Sequence, residues 1–496
     1  MKGVFPIYFL PKKNKDKLLI IYALCYQDWS TDSLSLRLNR KKRYVKDLLR
    51  ELKEDVKYYQ LNGTPQISVH KNGKITVDHR NAKIMLKFFY TLKLAYLKEV
   101  NEFKLFDLFI KNPKLSILSI SDSLYTSLSY TRRIIKKLNN YLDKFHFQII
   151  EKMGICELKG NELSIRLFLY VLMNDAYNSF CWPYTLESLP KRINYRQSLH
   201  IMLTIMISRK SYNAIVSELT KKNNWIINQL KENYNFISYL NLENTFLDNE
   251  LNDPLIEKYF IFLGHICAPQ AIPKHIKIKL GKIFSNDSNN GCIFAKNLYN
   301  KMSTNFKMNN SLEKKYLLIY YLTILNCFYE IMQETTTLFE ELIFPQLDYP
   351  LLFEQSEAKK IMSLFQEFLY EESSTKLLDN NNLQLWFCGL IYIILQTEKK
   401  NTVRIYLYLT KNLTAQDLVQ SRLESIYNSD KVLFTDCIEE SDLIVTDSLN
   451  FDKKIKNELF YFNPLIQTNQ WKHLLKKINQ IILKKDFEEK GTDTLK

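Results

Sequence analysis

One pattern of segments occurs twice in the first 160 residues: a short amphipathic helix, a polar turn, a longer basic helix and a strand-like hairpin. In the first copy the pattern predicts a short helix at 32–38 and a longer helix at about 40–55, capped by Asn39. The segments 66–70 and 74–77 alternate apolar and polar residues, and the Asn-Gly pair between them favours a hairpin. This order of segments predicts a winged helix-turn-helix fold.

The second copy follows a predicted long helix at 81–110. That helix ends before Pro113, because proline disfavours helical backbone in the residue before it. The predicted segments of the second copy are a short helix at 116–125, a basic helix at 130–142 and strands at 145–150 and 155–158. A fold built twice from the same elements is therefore expected at the start of the chain.

Charge is segregated along the chain. The first 160 residues hold 31 Lys and Arg against 15 Asp and Glu, whereas the remaining 336 residues hold 38 of each sign. The formal net charge of +16 therefore lies wholly in the part that carries the repeated pattern. Such segregation is typical of a module that binds a polyanion and is joined to a neutral body. We expect the basic part to bind double-stranded DNA, mainly through contacts to phosphates.

The apolar stripe of each basic helix leaves a set of polar side chains facing outward, and residues near the start of such a helix reach the major groove. The predicted DNA-contacting residues are Arg40, Lys42, Arg43, Lys46, Arg50, Lys71, Asn72 and Lys74 in the first copy, and Thr131, Arg132, Arg133, Lys136 and Lys137 in the second. A single basic amphipathic helix is more often an ordinary solvated face. Two copies within the one net-positive region favour DNA binding.

The segment after the second hairpin reads Lys-Gly-Asn-Glu-Leu-Ser-Ile-Arg-Leu-Phe at 159–168, and Cys181-Trp182-Pro183 follows it. Together with the paired winged helices, these segments resemble the Mga/AtxA family of transcriptional regulators from Gram-positive bacteria. The resemblance implies two helix-turn-helix domains, two helical phosphotransferase-regulation domains and a C-terminal domain similar to the EIIB component of sugar phosphotransferase systems. It also implies a virulence- or metabolism-linked regulator, usually an activator, that oligomerises and responds to carbohydrate status.

The chain has 10 Gly and 12 Pro in 496 residues, which favours long helices and a mostly α, multidomain protein. Short apolar segments at 403–409, 431–434 and 443–445 alternate with helices, so a small parallel α/β sheet is expected near the end. The predicted domains are winged helix-turn-helix domains at 1–80 and 81–160, helical regulation domains at 161–283 and 284–399, and an EIIB-like α/β domain at 400–496.

Histidine is the residue through which the resemblance implies regulation, since phosphorylation of histidine controls phosphotransferase-regulation domains by adding negative charge. His200 is the predicted phosphorylation site, because Arg196 and Arg209 lie near enough in the sequence to neutralise a phosphate. A structural histidine on an amphipathic helix is the alternative interpretation. No histidine lies between Ile276 and Lys472, so the second helical domain is expected to lack this control.

An EIIB domain carries its phosphoryl-accepting cysteine just after the first strand. Here the loop at 410–414 contains neither cysteine nor histidine, and Cys437 is expected to be a small buried filler. We therefore expect the C-terminal domain to serve assembly of the protein with itself, as a homodimer or higher oligomer, and not phosphotransfer.

The sequence contains no Gly-rich phosphate loop and no HExxH or GxSxG motif, so we expect no enzyme activity, no cofactor and no metal. The eight cysteines show no CxxC spacing, which favours a reducing cytoplasm, and no apolar run is long enough to cross a membrane. The expected partners are double-stranded promoter DNA and a second copy, with the general phosphocarrier protein as a further candidate. The alternative is an antiterminator-like RNA binder or an interaction scaffold.

Overall fold

The computed structural model describes residues 9–26, 29–59, 65–78, 82–177, 180, 182–184, 197–212, 223–234, 262–266, 272–306, 312–331, 356–372, 381–396, 402–409, 415–427, 431–447, 458–462 and 468–488. The chain divides into two compact units. The first comprises Met1–Ser303, Asn310–Asp348 and Phe368–Phe387, and the second comprises Thr304–Asn309, Tyr349–Glu367 and Cys388–Lys496. The five predicted domain ranges stay predictions.

The first copy of the repeated pattern has its helices and strands in the predicted order. Its elements are α1 (Lys12–Tyr26), β1 (Trp29–Ser30), α2 (Thr31–Leu38), α3 (Lys42–Tyr58), β2 (Ile67–Val69) and β3 (Lys74–Val77). The strands form an antiparallel sheet in the order β1-β3-β2. The expectation that Asn39 caps α3 is wrong. Asn39 ends α2 in the left-handed conformation (φ 51°), a position that asparagine tolerates, and α3 begins at Lys42.

The second copy repeats this order. Its elements are α5 (Asn101–Lys111), β4 (Lys114–Ser116), α6 (Ile117–Ser123), α7 (Leu128–Leu142), β5 (Phe147–Lys152) and β6 (Ile155–Gly160), with the sheet order β4-β6-β5. The single helix predicted at 81–110 is wrong, because Val100 has an extended backbone (φ −81°, ψ 124°) that separates α4 (Ala82–Glu99) from α5. The predicted stop before Pro113 is confirmed, since α5 ends at Lys111.

Helices follow one another through the middle of the chain. They are α8 (Glu162–Ala176), α9 (Gln197–Ser208), α10 (Asn224–Asn233), α11 (Lys274–Asn286), α12 (Asn290–Phe306), α13 (Leu312–Ile331), α14 (Ser356–Glu371) and α15 (Asn381–Gln396). Helices α11 and α13 approach closely at Gly281, where a Cβ atom would overlap the backbone carbonyl of Tyr316. The prediction of a mostly helical chain with small sheets is confirmed.

The last part of the chain is a parallel α/β layer. Its elements are β7 (Val403–Tyr408), α16 (Ala415–Glu424), β8 (Val432–Phe434), β9 (Leu443–Thr446), β10 (Glu458–Tyr461) and α17 (Thr468–Glu488). The strands pair in parallel in the order β10-β9-β7-β8, and Trp471, Leu474 and Ile478 of α17 belong to the core formed with the sheet.

Cys437 is exposed, and its Sγ lies 3.0 Å from Oε2 of Glu439. The expectation of a buried filler at this position is therefore wrong. The loop at 410–414 lies outside the described residues. Within the part of the chain that the structure describes, no helix is long and apolar enough to cross a bilayer, and no group of three or more His, Cys, Asp or Glu could hold a metal ion.

Candidate nucleic-acid interface

Helix α3 is fixed to the rest of its module by an apolar face and by ion pairs. The side chains of Val45, Leu48, Leu49 and Leu52 are buried along one face, as the sequence predicts. Behind the helix, Lys17 of α1 donates to Asp55 at 2.6 Å. Asp16 of α1 accepts hydrogen bonds from Arg40 (3.3 Å) and Tyr44 (3.1 Å). The opposite face of α3 is thereby held toward solvent.

The outward face of α3 contains most of the predicted contacts, but they are not equally available. Lys42 forms an ion pair with Asp32 at 2.8 Å, and Arg50 pairs with Asp47 at 3.0 Å. Arg40 is engaged by Asp16 and precedes the helix, so its expected place on α3 is wrong. Arg43 and Lys46 are exposed, lie one helical turn apart, and form no ion pair with a described residue.

The first hairpin presents Lys71, Asn72 and Lys74 at its exposed tip, as predicted. Gly73 adopts φ 84°, a conformation that glycine enters without steric cost. The side-chain oxygen of Asn72 accepts the backbone N–H of Lys74 at 3.0 Å, so Asn72 shapes the turn itself. The two lysines remain as the cationic groups of this hairpin.

The two copies share detailed geometry as well as element order. Helices α2 and α6 begin at Thr31 and Ile117, and α3 and α7 begin with the same separation, at Lys42 and Leu128. Ser30 and Ser116 cap α2 and α6 with equivalent side-chain hydrogen bonds. The N–H of Thr31 donates to the carbonyl of hairpin residue Gly73 at 2.9 Å, and the N–H of Ile117 donates to that of Gly154 at 2.8 Å. The chain therefore builds one module twice.

Helix α7 exposes fewer of its predicted DNA-contacting residues than the sequence predicts, and Thr131 is one that it does not expose. The expectation that Thr131 faces outward is wrong, because its side chain is 0% exposed and its Oγ1 lies 2.8 Å from Oγ1 of Thr126. Its position in α7 corresponds to that of buried Val45 in α3.

The four basic residues of α7 fall into two groups. Arg132 makes a two-point ion pair with Glu151 of β5, at 2.8 and 3.0 Å, and this contact lowers the pKa of the Glu151 carboxyl. Lys137 is paired with Glu102 at 2.9 Å. Arg133, which stacks on its neighbouring Tyr130 ring, and Lys136 are exposed and form no ion pair with a described residue. Of the residues predicted to contact DNA, each basic helix thus offers one Arg and one Lys, three residues apart, that are exposed and form no ion pair with a described residue.

The second module is also the part of the chain that a known family covers. Residues 89–173, which include α5, α6, α7 and both strands of the hairpin, match the family model of the Mga helix-turn-helix domain. The chain carries an Mga helix-turn-helix domain. The resemblance to the Mga/AtxA regulators is thereby confirmed for this domain, and a domain of this kind indicates a DNA-binding transcription regulator. None of the curated proteins matches the chain.

A buried ionic cluster that sequence patterns do not predict lies at the end of the Mga domain. Glu162, Arg166 and Arg209 are each about 1% exposed. Glu162 accepts hydrogen bonds from Nε of Arg166 at 2.8 Å, and from Nε and a terminal nitrogen of Arg209 at 2.7 and 2.6 Å. Arg209 also reaches the carbonyl of Leu158 in β6, at 3.2 Å. The cluster therefore joins the hairpin of the Mga domain to α8 and to the residue that follows α9.

The contacts of Arg209 also bear on the predicted phosphorylation of His200. Arg209, expected to neutralise a phosphate on this histidine, is instead committed to Glu162, so that part of the prediction is wrong. Arg196 and Cys181 lie outside the described residues. His200 is on α9, its Nε2 is buried without a described partner, and burial lowers its pKa. Trp182 donates to Oγ1 of Thr204 at 3.1 Å, one turn further along α9.

Proposed function

We propose that this chain regulates transcription by holding promoter DNA with two winged helix-turn-helix modules, of which the matched Mga domain is the second. The observation that carries the proposal is the repeated module geometry, with an exposed Arg and Lys on the outer face of each basic helix. A folding requirement alone does not explain why both copies leave a cationic pair of this kind unpaired.

The proposed contacts divide into two kinds. Arg43, Lys46, Arg133 and Lys136 have the reach and charge to contact base edges or phosphates in the major groove. Lys71 and Lys74 on the first hairpin would contact the phosphate backbone and set the orientation of the module. Each phosphate contact releases condensed counterions, so the affinity should fall steeply with salt concentration.

We further propose that the remainder of the chain controls these modules in the cytoplasm. The neutral charge of the helical and α/β parts suits a body that assembles with a second copy, and the parallel sheet order β10-β9-β7-β8 is compatible with an EIIB-like domain. Activation of transcription and response to carbohydrate status rest on the family resemblance. Phosphorylation of His200 by the general phosphocarrier would require α9 to expose a side chain that is now half-buried. That step is tested by labelling wild type and His200→Ala with the phosphocarrier; equal labelling rejects it.

The DNA proposal is tested by comparing a duplex with an RNA hairpin at matched salt concentration. The double variant Arg43→Ala/Lys46→Ala should weaken duplex binding by about tenfold or more, because two charged contacts are lost. The matched control is Lys53→Ala/Lys57→Ala, which removes the same charge from exposed positions nearer the end of α3. Equal loss in both variants, or tighter binding of the RNA hairpin, rejects the proposed reading by α3.

A further inference from the structure

The hairpin of the Mga domain has an apolar tip, which is unusual beside a cationic helix. Met153 at the turn is fully exposed, and it is flanked by Leu118 (59% exposed) and Ile155 (43% exposed). The N–H of Ile117 donates to the carbonyl of Gly154 at 2.8 Å, which brings the start of α6, where Leu118 lies, next to the turn. We call these three exposed residues the apolar tip.

The residues of the first module that are equivalent to the apolar tip are polar. Ser30 lies opposite Lys74 in the first sheet, and Ser116 lies opposite Ile155 in the second, so Lys74 and Ile155 are equivalent. By the same correspondence, Met153 replaces Asn72, and Leu118 replaces Asp32. The first module is polar at all three positions, whereas the Mga domain is apolar at all three.

The backbone of the tip does not favour methionine. Met153 and Gly154 have φ values of 49° and 76°, which is a two-residue turn that prefers Asn-Gly. Nothing lies within 4 Å of the position that a Cβ on Gly154 would occupy, so the turn projects into open space. Because neither the turn nor packing within the module favours a long apolar side chain there, we infer that Met153 contacts a binding partner.

The surroundings of the tip indicate which partner it meets. Lys152 is exposed directly before Met153, and Arg133 and Lys136 are exposed on α7. The ion pair of Arg132 with Glu151 ties that helix to the hairpin strand next to the tip. A surface that combines apolar side chains with cations suits DNA, whose minor groove admits apolar wedges between base steps. Three apolar side chains are also far fewer than the roughly 20–30 residues per side of a standard protein interface.

We propose that the apolar tip is a wedge that enters the DNA minor groove beside the major-groove segment read by α7, and that Met153 partly unstacks one base step there. The proposal rests on the proposed DNA-binding function, and it assigns the second hairpin a contact with the DNA minor groove. The two hairpins then have separate tasks, since the first contacts phosphates through lysines and the second deforms the duplex. Because the wedge contacts no phosphate, its contribution to affinity should not depend on salt concentration.

The test uses the full chain and a duplex that wild type selects from a random-sequence pool, with 2-aminopurine placed in turn at each step of the protected segment. Wild type should raise the fluorescence at one step, because unstacking relieves quenching. Met153→Asn should abolish that rise and lower the affinity by about tenfold to hundredfold, the equivalent of exposing one large apolar side chain. The slope of affinity against salt should not change. Met153→Leu should retain the rise.

A control variant in another helix distinguishes loss of the wedge from a general effect of removing exposed apolar surface. Leu312→Asn alters a side chain of matched exposure (62%) on α13 and should leave both readouts unchanged, whereas Leu118→Asn should weaken binding. Unaltered fluorescence and affinity in Met153→Asn overturn the wedge, as does a Met153→Asn variant that loses only self-association. If Arg133→Ala/Lys136→Ala also leaves duplex binding intact, the proposed DNA-binding function of this module fails as well.

Discussion

Replacement of Glu162 by glutamine tests whether the buried cluster at the end of the Mga domain holds that domain to α9. The substitution keeps the shape of the side chain and removes its charge. Arg166 and Arg209 would then be two buried guanidinium groups without the carboxylate that accepts three of their hydrogen bonds, at 2.6 to 2.8 Å. Loss of one partner from a buried ion pair costs about 3–5 kcal/mol, because the remaining charge stays buried.

The expected effect is local, so the measurement must be local as well. A chain with several cooperative parts has no single unfolding free energy, and hydrogen exchange read by mass spectrometry resolves individual segments. In Glu162→Gln, protection of amides in β6 and α8 should fall by about 100-fold to 4,000-fold, which is 3–5 kcal/mol at about 1.4 kcal/mol per tenfold. The loss cannot exceed the protection that these amides have in wild type. Protection in the parallel sheet β7–β10 should not change.

A matched surface variant and a compensated variant complete the test. Glu102→Gln breaks the pair with Lys137, whose side chain is 77% exposed, and should cost less than about 1 kcal/mol. Replacing all three cluster residues by Leu or Met should recover part of the lost protection, since no unpaired charge then remains. If Glu162→Gln loses no more protection than Glu102→Gln, the cluster does not hold the Mga domain to α9.

Two further predictions concern single positions. Gly160→Ala should destabilise β6 and α8 by more than about 1 kcal/mol, because Gly160 has φ 144° and an added Cβ would overlap the carbonyl of His146; unchanged hydrogen exchange there contradicts this. Burial, with Lys277 nearby, lowers the pKa of His265 to about 3, so below pH 6.5 the unfolded chain binds a proton that the folded chain does not. The local stability of α13, whose Tyr320 contacts His265, should therefore fall by up to about 1.4 kcal/mol per unit as the pH decreases from 6.5. His265→Gln should flatten this fall when hydrogen-exchange protection is measured at several pH values; an equal slope in both proteins refutes it.

The elements of both modules could be predicted because their signals are local. The apolar spacing of Val45, Leu48, Leu49 and Leu52 correctly predicts the buried face of α3. The prediction for Asn39 fails because asparagine suits both the start of a helix and the left-handed residue that ends one, and only the backbone distinguishes the two. The prediction for Thr131 fails because its hydroxyl is hydrogen-bonded to Thr126 inside the module.

Contacts between residues that are far apart in the chain could not be predicted from the sequence. Glu162 and Arg209 belong to different helical segments, and no periodicity relates them, so their contact depends on how α8 and α9 pack. The ion pair of Arg132 with Glu151 could not be predicted either, because it depends on how α7 packs against β5. Charge counting predicts where the cations are in the chain, and the structure is needed to say which of them are already paired.

Hydroxyl-radical footprinting of the full chain on its selected duplex tests whether both modules bind DNA at the same time. We expect two protected segments. Arg43→Ala/Lys46→Ala should lose one segment and Arg133→Ala/Lys136→Ala the other, with the remaining segment still visible at higher protein concentration. If neither double variant changes the protection, the two basic helices do not bind the DNA.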